Sequence, residues 1–175
     1  YFLDLMTCAL IEARRYQKIR GIGVIVFAHS STTAWEAMLD SLIKAGWIVT
    51  ASWPIDTEMA NRMNAMGTAA LASSVHIICR PRGENVIGDW RDVLVELPER
   101  IHAWMPRLAE EGVVGADAIF ACLGPALEVF SRYSRVEKSS GEAVTLKEYL
   151  EHVWAAVSKE ALSMIFKDPE TAGLE

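Results

Sequence analysis

The 175-residue chain is poor in the residues that build special-purpose sites. It holds three cysteines, Cys8, Cys79 and Cys122, and four histidines. No two cysteines form a Cys-x-x-Cys pair, and no histidine stands at metal-ligand spacing from any of them. Neither a disulfide framework nor a zinc site is expected, and reducing, cytoplasmic surroundings are. Long apolar runs are missing too: the longest, 21–28 and 118–127, fall short of the roughly 18 to 20 residues a transmembrane helix needs. There is no initiator Met and no signal-peptide pattern, and Tyr1 falls inside an amphipathic helical pattern, so a piece of a longer protein is expected. No P-loop, His-Glu-x-x-His or Gly-x-Ser-x-Gly occurs. Gly21-Ile22-Gly23 precedes a strand instead of following one, so it is not a dinucleotide fingerprint.

What is present is an ordinary globular composition. Apolar residues make up 51% and charged residues 23%, which rules out a disordered chain and fits a soluble domain. The formal charge of −6 hides an asymmetry. Residues 1–82 carry 8 basic and 6 acidic side chains (+2), and residues 83–175 carry 9 and 17 (−8). A polyanion would meet the first half; scatter over a solvated surface reads the same numbers equally well.

Helical spacing of Phe2, Leu5, Met6, Ala9, Leu10 and Ala13 predicts an opening helix, stopped by Gly21 after a basic cluster. The run 22–28 is β-branched and apolar throughout, and reads as a strand buried on both faces. Thr33-x-x-Glu36 fits a capping box, and Trp35, Met38, Leu39, Leu42 and Ile43 form the apolar stripe of a helix ended by Gly46. Residues 47–53 alternate as a strand closed by Pro54, completing a β-α-β unit with a right-handed crossover. A further strand, 75–79, follows an excursion, 54–74, too long for an ordinary connection. Its Met59, Met63 and Met66 suggest packed helix.

The second half reads as helical. Trp90, Val93, Leu94, Leu97, Ile101, Trp104, Met105 and Leu108 hold one stripe, with Pro98 expected to kink or restart the helix. Residues 116–133, interrupted by Gly124-Pro125, predict a buried, broken helix. Residues 136–144 suggest a hairpin, and Thr145-x-x-Glu148 caps a last helix facing inward through Leu146, Tyr149, Leu150, Val153, Trp154 and Val157. The expected division is an α/β unit over 1–82 and a helical extension over 83–175 packed on it.

In an open α/β sheet, ligands gather beyond the carboxyl ends of the parallel strands. The first strand delivers His29, Ser30, Ser31 and Thr32 there, the second Pro54 to Glu58, and an antiparallel third would begin there with Ser73 and Ser74. His29 can bond or stack on a substrate, or merely satisfy local backbone. Ser31, Thr32 and Thr33 fit a helix cap better than a nucleophile, with no histidine adjacent in sequence to activate one. Asp56 and Glu58 are either paired carboxylates or a cap. Arg62 and Asn64 suit a phosphate or a base edge, or an exposed loop. Arg80 and Arg82, at the far end of the sheet, are expected to be solvated.

Several stretches, in order, resemble one family. They are Val26-Phe27-Ala28-His29-Ser30-Ser31-Thr32-x-x-Trp35-Glu36, Gly46-Trp47-x-Val49-Thr50-Ala51-x-Trp53-Pro54-Ile55-x-Thr57-Glu58, Ala69-Ala70-Leu71-Ala72-Ser73-Ser74 and Arg80-Pro81-Arg82. Gly115-Ala116-Asp117 and the run 124–133 add to them. Together they resemble the carboxyl-terminal half of the large bacterial and archaeal adenine-specific DNA methylases, class I S-adenosylmethionine-dependent enzymes. The resemblance implies a partial Rossmann-like sheet, two parallel strands plus a final antiparallel strand, with a helical C-terminal extension. It implies a parent enzyme that flips an adenine from the duplex and uses S-adenosylmethionine. The glycine-rich cofactor loop and the Asp-Pro-Pro-Tyr type motif are both missing from these residues. Binding roles at the DNA or target-base side are therefore carried over to His29, Ser30, Asp56, Arg62, Asn64 and Ser73, and no catalytic residue is assigned. The expected partners are DNA, held weakly, and the remainder of the parent chain, with self-association open and no membrane. The competing expectation is a non-catalytic protein-interaction module on an α/β scaffold.

Overall fold

The computed structural model describes residues 2–29, 31–56, 73–113 and 116–167. Strands β1 (Gly23–Phe27), β2 (Trp47–Asp56) and β3 (Ser73–Pro81) form a sheet in the order β1-β3-β2. Both β1 and β2 pair antiparallel with β3, so β1 and β2 run in the same direction, as expected, while β3 lies between them. The sheet has an inner face where Ile25, Ile77 and Ser52 share a register, and Phe27, Val75 and Pro54 the next. On the other face Val24 is 53% and Val26 58% exposed. The expectation of a strand buried on both faces is thus wrong for β1. The apolar run conceals an alternation imposed by packing on the inner side, where Phe27 meets Trp35 edge to face. Strand β2 runs through Pro54, which was expected to close it. An edge strand tolerates the missing donor, and β2 is an edge.

Helix α1 spans Phe2–Tyr16 and α2 spans Thr32–Lys44. The stripe of α2 buries Trp35, Met38, Leu39 and Leu42 as read from sequence. The predicted capping box fails: the backbone is still extended at Ser31, the N-cap, so Thr33 already lies in the first turn. Gly46 follows the helix with φ +82°, a conformation that favours glycine. The stripe assigned to α1 also fails in part, since Leu10 is buried and Met6 half-buried while Leu5 is 55% exposed.

Helices α3 (Trp90–Glu110), α4 (Ala116–Ser131) and α5 (Leu146–Lys167) pack onto this framework, and one buried core cluster joins residues on both sides of position 82. The predicted break in α4 does not occur, since the helix continues through Pro125, and α3 runs on through Pro98 and Pro106 without restarting. Pro98 and Pro106 sit on the solvent side, where water can satisfy the carbonyls they leave free. Pro125 is buried with its helix, and another device replaces its missing donor. The Ser52 hydroxyl lies 2.6 Å from the Phe120 carbonyl and 3.1 Å from that of Ala121, and it accepts the Gly124 N–H at 2.7 Å. The Ala121 carbonyl is the one that a residue other than proline at 125 would have bonded.

Arg82 corrects the expectation of a solvated surface residue. It is 8% exposed and donates to the carbonyls of Ser131, Tyr133 and Ile43. These carbonyls lie at the carboxyl ends of α4 and α2, where partial negative charge accumulates. Arg14 donates to the Arg82 carbonyl at 2.7 Å, and burial followed by the nearby Arg14 charge pulls the Arg82 pKa down. Two short strands absent from the sequence reading, β4 (Ile87–Asp89) and β5 (Arg135–Glu137), pair in parallel. The expected turn over 136–144 is present as one antiparallel bridge, Glu137 to Ala143, around Gly141. Thr145 caps α5 as expected, its hydroxyl accepting the Glu148 N–H at 3.2 Å.

Candidate functional site

Where β1 gives way to α2, the chain turns through Ala28 and His29 to Ser31. The Ser31 N–H donates to His29 Nδ1 at 2.9 Å. With Nδ1 accepting, the neutral imidazole carries its proton on Nε2, which remains as a donor. The ring stacks on Phe27 with centroids 6.2 Å apart, and Trp35 Nε1 donates to the His29 carbonyl at 2.9 Å. The local backbone reading of His29 is therefore realised by one ring nitrogen, and the exposed remainder of the ring faces outward from a fixed frame. Ser31 is the N-cap residue but makes no side-chain capping bond.

A cavity of about 460 Å³ opens at this junction, lined by Leu3, Phe27, His29, Ser31, Thr33, Ala34, Ala37 and Met38. Its wall is mostly apolar and its few polar residues come from the turn after β1 and the first turn of α2. That is the usual make-up of a small-molecule site of about 300 to 1,000 Å³. Sequence reasoning found the polar members and missed Leu3 and Met38. Met38 was assigned to the core, and Leu3 falls outside the stripe read for α1. A second cleft, about 270 Å³, follows the other flank of α2 between Trp35, Glu36, Leu123, Leu150, Glu151 and Trp154.

Strand register brings the other expected stretches to the same edge. Phe27 pairs with Val75, and Asp56 pairs with Ser73 at the carboxyl end of β2 and the start of β3. Two residues beyond Phe27 the chain reaches His29, so the backbones of His29, Ser73 and Asp56 share one end of the sheet. Adjacent strands lie about 4.8 Å apart, which sets the span across that edge at about 10 Å. Ser30, Arg62 and Asn64 lie outside the described residues, as do Glu58, the three methionines and most of the 54–74 excursion.

Asp56 is placed at this edge by its strand register with Ser73. Groups with shifted pKa values sit elsewhere among the described residues. Burial pushes the Cys79 and Cys122 thiols up to about 12. Burial alone would raise the Glu96 carboxyl, but hydrogen bonds from Arg132 at 2.5 Å and Arg100 at 3.3 Å hold it below its ordinary value. Among the described residues no group of three or more His, Cys, Asp or Glu side chains could hold a metal ion, and no helix is long and apolar enough to cross a membrane. The described residues bring together at this edge an apolar pocket, the His29 imidazole and the residues Ser31 and Thr33. No protein-family model, curated protein or solved structure matches the chain.

Proposed function

We propose that this chain forms the target-base and DNA side of a Rossmann-like, S-adenosylmethionine-dependent adenine methylase. The observation that carries the reading is the cavity at the carboxyl end of β1. It sits where an open sheet collects ligands, in a sheet whose two codirectional strands are joined through α2 and followed by an antiparallel third. On this reading Phe27, Met38 and Leu3 offer apolar surface to an extruded base, and His29 Nε2 and the Ser31 and Thr33 hydroxyls offer polar groups at the mouth. Extrusion is required because a stacked adenine cannot present its amino group.

The cofactor does not fit within these residues. A backbone that closely approaches a nucleotide needs a glycine-rich turn after a strand, and β1 is followed by Ala28-His29-Ser30-Ser31. On this reading methyl transfer needs cofactor-binding and amino-gripping motifs that these 175 residues do not contain.

A second reading, a non-catalytic interaction module, is favoured by the outer sheet face, where Val24, Val26, Trp53 and Ile55 are exposed. The two are separated by calorimetry with S-adenosylmethionine and by transfer of a labelled methyl group to DNA. Both assays use the chain alone and the chain extended by the upstream sequence of its reading frame. The methylase reading expects neither signal from the chain alone and both from the extended form, with transfer lowered by His29→Ala. An extended form lacking both signals, or saturable micromolar cofactor binding by the chain alone, overturns it.

A further inference from the structure

At the opposite end of β1 from His29, the turn between α1 and β1 is built as a surface of its own. No acidic residue occurs between Glu12 and Glu36, and this stretch holds Arg14, Arg15, Lys18 and Arg20. Arg14 is turned inward to the Arg82 carbonyl. Arg15 meets only Glu12 at 2.9 Å, an exposed pair of the kind that contributes little and yields to competing anions. Lys18 and Arg20 are exposed and have no ion-pair partner among the described residues. Arg80 is exposed next to Cys79, the residue paired with Gly23, so its charge emerges beside the same turn.

Between these cations stand large side chains that folding has left in water. Tyr16 is 87% exposed and Ile19 77%. The turn that presents them is ordered. The Gly21 N–H donates to the Lys18 carbonyl at 2.7 Å, the Gln17 N–H to that of Arg14 at 3.2 Å, and the Gln17 side chain covers Gly21 so closely that a Cβ there would lie 2.2 Å from it. Trp47 Nε1, donating to the Leu10 carbonyl at 3.0 Å, ties α1 to β2 just upstream. A hydrogen-bonded turn that alternates exposed cations with an exposed tyrosine matches what unpaired nucleic acid requires: charge along the backbone and a flat ring under a base.

We propose that the α1–β1 turn binds single-stranded DNA, with Tyr16 as the stacking platform and Arg15, Lys18, Arg20 and Arg80 neutralising phosphates. The partner is chosen by charge complementarity and by the tyrosine. A duplex would use the cations and leave the ring idle, and the balance of charge, +2 over residues 1–82 against −8 over 83–175, favours the first half for a polyanion. The surface lies a strand's length from the His29 edge, about 17 Å for five residues, and is independent of the methylase reading.

The test is fluorescence anisotropy of a labelled twelve-residue oligothymidylate with the full chain at 50 and 200 mM salt. A matching duplex and phosphatidylserine vesicles serve as alternative probes, and circular dichroism verifies each variant's fold. Tyr16→Ala is expected to weaken oligothymidylate binding about tenfold and leave duplex binding unchanged. Changing Lys18 and Arg20 together to Gln should reduce the slope of log affinity against log salt by about 1.4, at about 0.7 per phosphate contact on a single strand. Lys159→Gln, an exposed cation on α5 away from this turn, should leave both results intact, and the assay contains no cofactor and reads no methyl transfer, so failure of the methylase reading does not touch this one. Equal affinity for duplex and single strand, indifference to Tyr16→Ala, preference for the vesicles, or no micromolar binding at 50 mM salt each overturns the proposal.

Discussion

Replacing Gly124 by Ala should destabilise the protein, although the same change in an exposed helix interior stabilises by about 1 kcal/mol. The sign reverses because α4 lies directly on the backbone of β2. A Cβ at position 124 would sit 2.1 Å from the Ala51 carbonyl carbon, 2.2 Å from Ser52 N and 2.4 Å from Ala51 Cα. Carbon atoms pack comfortably at about 3.5 to 4.0 Å, so the helix must retreat by more than 1 Å from main chain that has no rotamer to swing away. Such overpacking costs about 1 to 3 kcal/mol. The retreat also stretches the bonds through the Ser52 hydroxyl, to Gly124 N–H at 2.7 Å and to the Phe120 carbonyl at 2.6 Å, each contributing about 1 kcal/mol. With the helical gain set against these, the net loss is about 3 kcal/mol, a large part of a typical stability of about 5 to 15 kcal/mol. Urea unfolding followed by the fluorescence of the six tryptophans measures it, and the melting temperature should fall by about 6 to 12 °C. Gly83→Ala is the control: nothing lies within 4 Å of its Cβ position, so it should change stability by less than about 0.5 kcal/mol. If Gly124→Ala raises stability by about 1 kcal/mol, the close approach of α4 to β2 is wrong.

Arg82→Met should cost about 3 to 4 kcal/mol by leaving three helix-end carbonyls without their charged donor, and Arg82→Lys should restore less than half in urea titrations because an ammonium cannot fork among them. Glu96 has a folded pKa below its ordinary value near 4.5, so its contribution is complete above that value and is lost as pH falls through the lower folded pKa. Glu96→Gln should therefore lose more stability relative to wild type at pH 7 than at pH 3, and an equal loss at both would refute the sign. With Cys79 and Cys122 buried and their thiols pushed up to about 12, and Cys8 exposed, an aromatic disulfide reagent should titrate one thiol in the native chain and three in urea.

The readings that held were those whose cause is local. The stripe of α2 and the inward face of α5 repeat at 3.6 residues because one side of each helix is buried, and Thr145 and Glu148 meet three residues apart on the chain itself. The directions of the three strands also followed from local order, since a helix between two strands permits them to run alike and a third without an intervening crossover helix returns. What local order left out was that β3 sits between them. The failures share a different cause. Val24 and Val26 look like core by composition, but burial depends on which side of the sheet the helices take. Pro125 reads as a break because its own missing N–H is visible in the sequence and the compensating hydroxyl is 73 residues earlier, on β2. Arg82 reads as solvated because the carbonyls that accept its protons belong to α2, α4 and the turn after α4. Strands β4 and β5 span three residues each and are stabilised by a partner two helices away, beyond any window of periodicity.

The same distinction applies to the site. The turn from His29 to Thr33 was legible because hydroxyls and an imidazole after a β-branched run are unusual, and the register of Asp56 with Ser73 brings a second pair of polar residues to the same edge. The pocket itself was not legible, since its depth comes from α1. Leu3 closes one wall only because α1 is fixed beside α2 and β2 by Trp47 Nε1 on the Leu10 carbonyl and by Arg14 on the Arg82 carbonyl. The apolar wall at one end of β1 and the ordered basic turn at the other therefore depend on the same two anchors. A helix so fixed cannot shift to open the cavity without moving the turn that carries Tyr16. Trp47→Phe, which removes the Leu10 bond and puts a smaller ring in a buried site, is the substitution that loosens both ends together, and it should raise hydrogen exchange at Met6 and at Gly21 in the same experiment.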